Sequence, residues 1–220
     1  MERGYDRVAG QYAERITGEL AHKPFDREIL GRFGDLARPL GPVCDLGCGP
    51  GHVARYLDDR GLDVCGIDLS SAMVAQARAL YPHIPFRQGN MLALDLADDS
   101  LGGIVAFYSI IHIPRPLLPQ VFAGMHRVLC PDGALLLAFH LGDEDRHLDE
   151  WWDQPVSIDF YFFTRAEIEQ HLLDAGFRIE ESLERAPYPD VEVETRRAYL
   201  LARKPGVRRA GSAAIRAELC

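Results

Sequence analysis

Lysine is nearly absent from this chain: its 24 basic residues include only Lys23 and Lys204, and 33 acids bring the formal net charge to −9. General attraction to nucleic acid phosphates or anionic lipid is therefore not the default mode of action. Apolar runs long enough to cross a bilayer, about eighteen residues, are missing as well. The opening stretch MERGYDRVAGQYAERITGEL is charged and amphipathic, without the apolar segment of a signal peptide. The expectation is a soluble, cytoplasmic protein. Cysteine is sparse: Cys44, Cys48, Cys65, Cys130 and Cys220 form an odd set, which favours reduced thiols over a disulfide framework. No second pair completes a zinc site with Cys44 and Cys48, and Leu141-Gly142 interrupts any helix that would align His140, Asp143 and His147. No metal is expected.

What the chain does contain is alternation. Its 220 residues suit one domain, since a single hydrophobic core serves roughly 100 to 200 residues. From Val43 onward, short apolar runs alternate with longer amphipathic ones, the pattern of an α/β sheet with crossover helices. PVCDLG, LDVCGID, IPFRQGN, LGGIVAFYS and ALLLAFH read as buried strands. HVARYLDDRG, SSAMVAQARALY and PLLPQVFAGMHRVLC read as helices, with Ser70 or Ser71 as a cap and Pro131-Asp132-Gly133 as a terminating turn. Two amphipathic helices, about 4–18 and 25–38, come first. A further helix opens at Thr164 with a Thr-x-x-Glu capping box and ends at Gly176. FRIEESLERA and VEVETRRAYLLARK read as two more strands around the turn at Pro187 and Pro189. The expected organisation is one domain over 1–204, comprising a helical cap (1–40), an α/β core (43–140) and an irregular insertion (141–163), with a flexible tail at 205–220.

The strongest local signal is Val43-Cys44-Asp45-Leu46-Gly47-Cys48-Gly49-Pro50-Gly51, a strand entering a glycine-rich turn and then a helix. Glycine at 47, 49 and 51 removes side chains that keep a ligand from the backbone, and a helix start near His52 offers unpaired amides. A dinucleotide fingerprint needs glycine five positions after the first, where this chain has His52. No Gly-Lys-Ser/Thr follows for a phosphate loop either.

Asp45-x-Gly47-x-Gly49-x-Gly51 resembles motif I of the class I S-adenosylmethionine (SAM)-dependent methyltransferases, whose loop approaches the amino acid and ribose parts of the cofactor. That resemblance implies a Rossmann-like, seven-stranded, mostly parallel sheet with an antiparallel last strand and helices on both faces. Asp68, at the end of the second strand, then accepts from two ribose hydroxyls. Gln88-Gly89-Asn90-Met91 resembles the family's Gly-Asp-hydrophobe element for adenine, with Asn90 replacing the usual Asp. Phe107-Tyr108-Ser109-Ile110-Ile111-His112 occupies the place beside the sulfonium and the acceptor. Tyr5-Asp6-x-x-Ala9-x-x-Tyr12-Ala13 resembles the cap helix of the small-molecule, methyltransferase-11-like branch, whose tyrosines close over the methionine end. Together these imply cofactor contacts from Tyr5, Tyr12, Asp45, Gly47, Cys48, Gly49, Gly51, Asp68, Leu69, Met73, Asn90, Met91, Phe107 and Ser109. SAM is the expected cofactor and S-adenosylhomocysteine (SAH) the product.

Methyl transfer from a sulfonium is an in-line displacement that the cofactor itself activates, so the protein mainly aligns the nucleophile and excludes water. A hydroxyl or ammonium acceptor also needs a base, and His112, with Tyr108 four residues before it, is the expected catalytic element. Tyr12, His112, Trp151, Trp152, Phe160 and Phe162 are expected on the acceptor side, the last four from the insertion acting as an aromatic lid. The alternation of Val156, Ile158, Phe160 and Phe162 equally suits a strand that buries one face. Residues 141–203 carry 16 acids against 7 bases, which favours a small aromatic acceptor that is neutral or cationic. No Asp/Asn-Pro-Pro-Tyr/Phe element follows the fourth strand, so nucleic acid is not the expected partner; the acidic balance and the short apolar runs speak against a membrane, and the chain is read as a monomer or homodimer. Two other functions remain open: a SAM-binding protein without methyl transfer, and an NAD(P)-dependent oxidoreductase, which His52 opposes.

Overall fold

The computed structural model describes residues 2–206; beyond Gly206, the expected tail lies outside the described residues. Along the chain, α1 (Glu2–Ile16) and α2 (Pro24–Ala37) precede β1 (Val43–Leu46), α3 (His52–Asp58), β2 (Val64–Asp68), α4 (Ser71–Leu80) and β3 (Phe86–Gln88). Then come β4 (Leu101–Phe107), α5 (Leu118–Val128), β5 (Leu129–His140), β6 (Arg146–Trp151), β7 (Gln154–Phe160), α6 (Arg165–Asp174), β8 (Arg178–Arg185) and β9 (Arg197–Arg203). Seven of the strands form one sheet in the order β3-β2-β1-β4-β5-β9-β8. Neighbours pair in parallel from β3 to β5, while β9 runs antiparallel to both β5 and β8. This is the expected Rossmann-like sheet with its antiparallel last strand.

The strand order reverses between β1 and β4, and that switch opens a crevice at the carboxyl ends of the strands, where open α/β sheets bind ligands. Apolar side chains of α2, α3 and α4 cover one face of the sheet. Those of α5 and α6 cover the other. Each large side chain so buried contributes about 1.5–3 kcal/mol. The caps read from the sequence are formed: Ser70 Oγ accepts from the Met73 amide at 3.1 Å, and Thr164 Oγ1 from the Glu167 amide at 3.2 Å.

Three segments depart from the sequence reading. The Pro131-Asp132-Gly133 turn is a bulge inside β5: Asp132 takes φ 66°, and the register against β4 shifts between Leu101 and Gly103. The strand expected from Val191 begins instead at Arg197, because Glu192 is drawn into a buried ion cluster by Arg185 at 2.6 Å and Arg197 at 3.1 Å. The insertion is an antiparallel hairpin of β6 and β7 with a register shift between Leu148 and Glu150, so the period-two alternation outweighs its acidic composition. Val156 and Ile158 bury against Val8 of α1, in an apolar cluster separate from both faces of the sheet. Helix α1 and the hairpin therefore form a roof over the carboxyl edge, held together by their own small core.

Candidate functional site

One cleft at the switch point gathers residues from β1, β2, β4 and α1 and from the segment that follows β3. Its floor is the glycine loop, where close approach is geometric. Gly47 has φ 78°, and a Cβ there would stand 2.3 Å from the Ser109 Cβ. The loop amides are already used: those of Gly47 and Cys48 donate to the Ile67 carbonyl at 2.7 and 3.1 Å, and that of Gly49 donates to Asp68 Oδ2 at 2.8 Å. The glycine loop itself thus offers bare backbone surface.

Asp68 lines the cleft at the end of β2, with Oδ1 accepting from the Ser70 amide at 2.8 Å. A carboxylate has about four acceptor positions, so two remain for a diol. Burial raises its pKa, and the amides of Ser70 and Gly49 oppose that shift. Leu69, Met73, Asn90, Met91, Phe107 and Ser109 also line the cleft. Asn90 Oδ1 accepts from the Leu92 amide at 2.9 Å, which fixes its side chain. Ser109 Oγ donates to the Leu46 carbonyl at 2.7 Å, tying β4 to β1 beneath the loop.

Asp45 and Gly51, expected to contact the cofactor, stand behind the cleft instead. Asp45 is 1% exposed and accepts from the Ala54 amide at 3.0 Å, so it caps α3. Burial raises its carboxyl to about 7. Gly51, at φ 84°, makes room for Phe86, whose ring would be 2.6 Å from a Cβ there. Both serve the packing of helix against strand.

The roof carries the chemistry-bearing side chains. Tyr5 and Tyr12, one helical face of α1, both reach into the cleft and meet edge-on at 5.8 Å. His112 lines it from the short helical turn after β4. Its Nδ1 lies 2.8 Å from the Asp159 backbone carbonyl, which can only accept, so Nδ1 carries the hydrogen. Nε2 is then the lone pair, and it accepts from the Tyr5 hydroxyl at 2.7 Å. Burial holds the ring near pKa 4 and neutral, against the opposing hydrogen bond to Asp159. The same burial drives the Tyr5 hydroxyl up.

Tyr108, expected beside His112, is corrected to a different role. It lines the cleft at φ 52°, but its hydroxyl pairs with the Tyr199 hydroxyl at 2.9 Å, which donates to Asp26 at 2.7 Å. The tyrosine partner of His112 is Tyr5. Trp151, Trp152 and Phe160 stand one layer behind the cleft: Trp151 packs on Tyr5 and Tyr12 at 5.7 Å, Trp152 on Tyr12 at 6.1 Å, and Phe160 on His112 at 4.8 Å. Phe162 faces the other way, against His140 and in a groove with Thr195 and Arg196. Asp6 went unassigned in the sequence; it accepts from Ser70 Oγ at 2.6 Å and fastens α1 to the start of α4. Its place directly after Tyr5 in the cap-helix pattern was the available signal. Among the described residues, no group of three or more His, Cys, Asp or Glu could hold a metal ion, and no helix is long and apolar enough to cross a membrane.

A glycine cradle that tolerates no Cβ, a carboxylate one strand away with free acceptor positions, and a roof of tyrosines define the cofactor cleft of a Rossmann-like methyltransferase. The family described as "Methyltransferase domain" matches residues 43–133. A Mycolicibacterium smegmatis protein named "Probable S-adenosylmethionine-dependent methyltransferase" is 32% identical over 77% of this chain and 59% of its own length. The malonyl-[acyl-carrier protein] O-methyltransferase of Enterobacter lignolyticus is 29% identical over 84% of this chain and 71% of its own. A SAM-dependent methyltransferase structure from Methanosarcina mazei superposes with a TM-score of 0.68 at 18% identity, covering 75% of this chain and 92% of that one. The chain belongs to the class I SAM-dependent methyltransferases, whose cofactor is SAM. It spans 47% to 71% of the length of the curated relatives it matches.

Proposed function

We propose that this protein transfers the methyl group of SAM to a hydroxyl or amine of a small molecule. The Tyr5–His112–Asp159 chain carries the reading: a neutral imidazole, its tautomer fixed by a backbone carbonyl, directs Nε2 at a tyrosine hydroxyl on the cleft wall. Gly47, Gly49, Asp68 and Asn90 would hold the cofactor, which when bound supplies an electrophilic methyl group on a sulfonium. The chain's own residues then position and deprotonate. Tyr5 passes its proton to His112 Nε2 as its oxygen takes one from the acceptor, and Nδ1–H stays with the Asp159 carbonyl. The buried aromatic roof keeps water from competing.

The excess of acids in residues 141–203 supports a neutral or cationic acceptor. Pairing tempers it: Asp145 meets Arg115 at 2.8 Å, and Asp159 meets His147 at 2.6 Å. Relatives named for malonyl-acyl carrier protein and trans-aconitate support the rival reading, a carboxylate acceptor. A carboxylate carries no proton to remove, so the base discriminates between the two. The test is transfer of labelled methyl from SAM to panels of phenols, amines and acids, with wild type and His112→Asn. Label in phenols or amines that His112→Asn abolishes supports the proposal. Turnover of acids alone, indifferent to His112, refutes it, as does SAM binding without label in any acceptor.

A further inference from the structure

The cleft has two ends. Asp68 and Asn90, at the β2 and β3 side, belong to the ribose and adenine of the cofactor, so its amino-acid tail must extend toward the β1 and β4 side. There the walls are Tyr12, Tyr108 and His52, the residue directly after the glycine loop. His52 is not an ordinary helix start. Its Nε2 lies 3.1 Å from Glu19 Oε1, while Lys23 Nζ takes Glu19 Oε2 at 2.7 Å. Burial pushes the Glu19 carboxyl up, but its bonds to His52 and Lys23 outweigh that and hold it at about 2, ionised. A carboxylate can only accept, so Nε2 carries hydrogen and Nδ1 is the ring's second polar atom. That atom is buried and has no partner among the described residues, a condition that costs about 1–3 kcal/mol unless a ligand relieves it.

We infer that His52, oriented by Glu19, accepts a hydrogen bond from the α-ammonium of the cofactor's amino-acid tail and makes the cleft selective for a ligand that carries that tail. The assignment rests on the SAM reading of the cleft. Three features favour an ammonium: the Glu19 contact places the ring hydrogen on Nε2 and leaves Nδ1 as the acceptor atom, Glu19 adds negative charge behind it, and the cation beside Glu19, Lys23, is committed to Glu19 at 2.7 Å and to Glu192 at 3.5 Å. The glycine loop has no free amide to spare for this end, since the amides of Gly47, Cys48 and Gly49 are all paired. His52 touches the ligand directly, and Glu19 is a positioning residue.

The test is calorimetric titration of the whole chain with two probes, SAH and 5′-methylthioadenosine, which keeps the adenosine and sulfur but lacks the amino acid. In His52→Ala, SAH should bind about 10-fold more weakly, the loss of one charge-assisted hydrogen bond. Methylthioadenosine should change less than about twofold, which also shows the variant is folded. His52→Asn, whose Oδ1 can stand in for Nδ1, should recover most of the loss, and Glu19→Ala should give a smaller loss with the same selectivity. Equal weakening of both probes, or unchanged SAH binding, overturns the assignment. If wild-type protein binds neither probe, the SAM reading itself falls and this inference with it.

Discussion

The floor of the cleft and its roof are built on different principles. The floor is backbone, with glycines at positive φ and amides paired to Ile67 and Asp68, clamped between parallel strands whose faces are buried. The roof is side chain: Tyr5, Tyr12 and His112, backed by Trp151 and Phe160, on a helix and a hairpin that share a cluster of only three fully buried apolar residues. A wall made of backbone fixes shape and tolerates little change, whereas a wall made of side chains can be tuned residue by residue. The floor should therefore govern cofactor binding, and the roof the fate of the acceptor.

Gly47→Ala should produce the largest effect. A left-handed backbone costs a non-glycine residue about 1–2 kcal/mol, and forcing a methyl group to within 2.3 Å of Ser109 adds overpacking of about 1–3 kcal/mol. SAH affinity should fall roughly 100-fold or more by calorimetry. Next comes His112→Asn, which removes the base but not a wall. Its kcat should drop about 100-fold, while SAH affinity stays within about twofold. If His112→Asn instead weakened SAH as much as Gly47→Ala does, the division between floor and roof would collapse.

The same division explains what could be read without a structure. The floor announces itself because its residues are close in sequence: three glycines within five positions after an apolar strand, then Asp68 at the end of the next one. The seven strands of the sheet were legible in such local patterns, while its mostly parallel sense with an antiparallel last strand came with the family resemblance. The roof joins Tyr5 to His112 and Val8 to Ile158, pairs more than a hundred residues apart, and no spacing rule links them. The sequence therefore singled out His112 but took Tyr108, its near neighbour in the chain, for the hydroxyl partner that the structure supplies from Tyr5. Asp45 and Gly51 misled for the opposite reason. They sit inside the motif, yet face α3 and Phe86, because one motif serves both ligand approach and helix packing.

A milder change probes how the roof is held. Gly4 lies where α1 crosses β7, and a Cβ there would stand 2.6 Å from Ile158 Cγ1. Gly4→Ala should push the helix off the hairpin at a cost of about 1–3 kcal/mol. The Tyr5–His112 hydrogen bond should lengthen, so kcat falls several-fold, with a modest drop in Tm and little change in SAH affinity. An SAH affinity loss exceeding the loss in kcat would mean that α1 belongs with the floor.

The smallest effect concerns protons. Burial keeps His112 near pKa 4, below the ordinary 6.5, so its neutral, basic form prevails throughout the neutral range. The acid limb that His112 imposes on kcat/KM should therefore fall near pH 4 rather than 6.5. Phe160, whose ring lies 4.8 Å from the imidazole, supplies part of that burial. Phe160→Ala admits water and raises the pKa back toward 6.5, because hydration favours the charged ring. Protonation then removes the Nε2 lone pair at higher pH, and the acid limb moves upward. Near pH 5.5 the variant should lose several-fold more activity, relative to wild type, than it loses near pH 8. A uniform loss at both pH values would show that Phe160 holds His112 in place without controlling its protonation, and would leave the roof as packing alone.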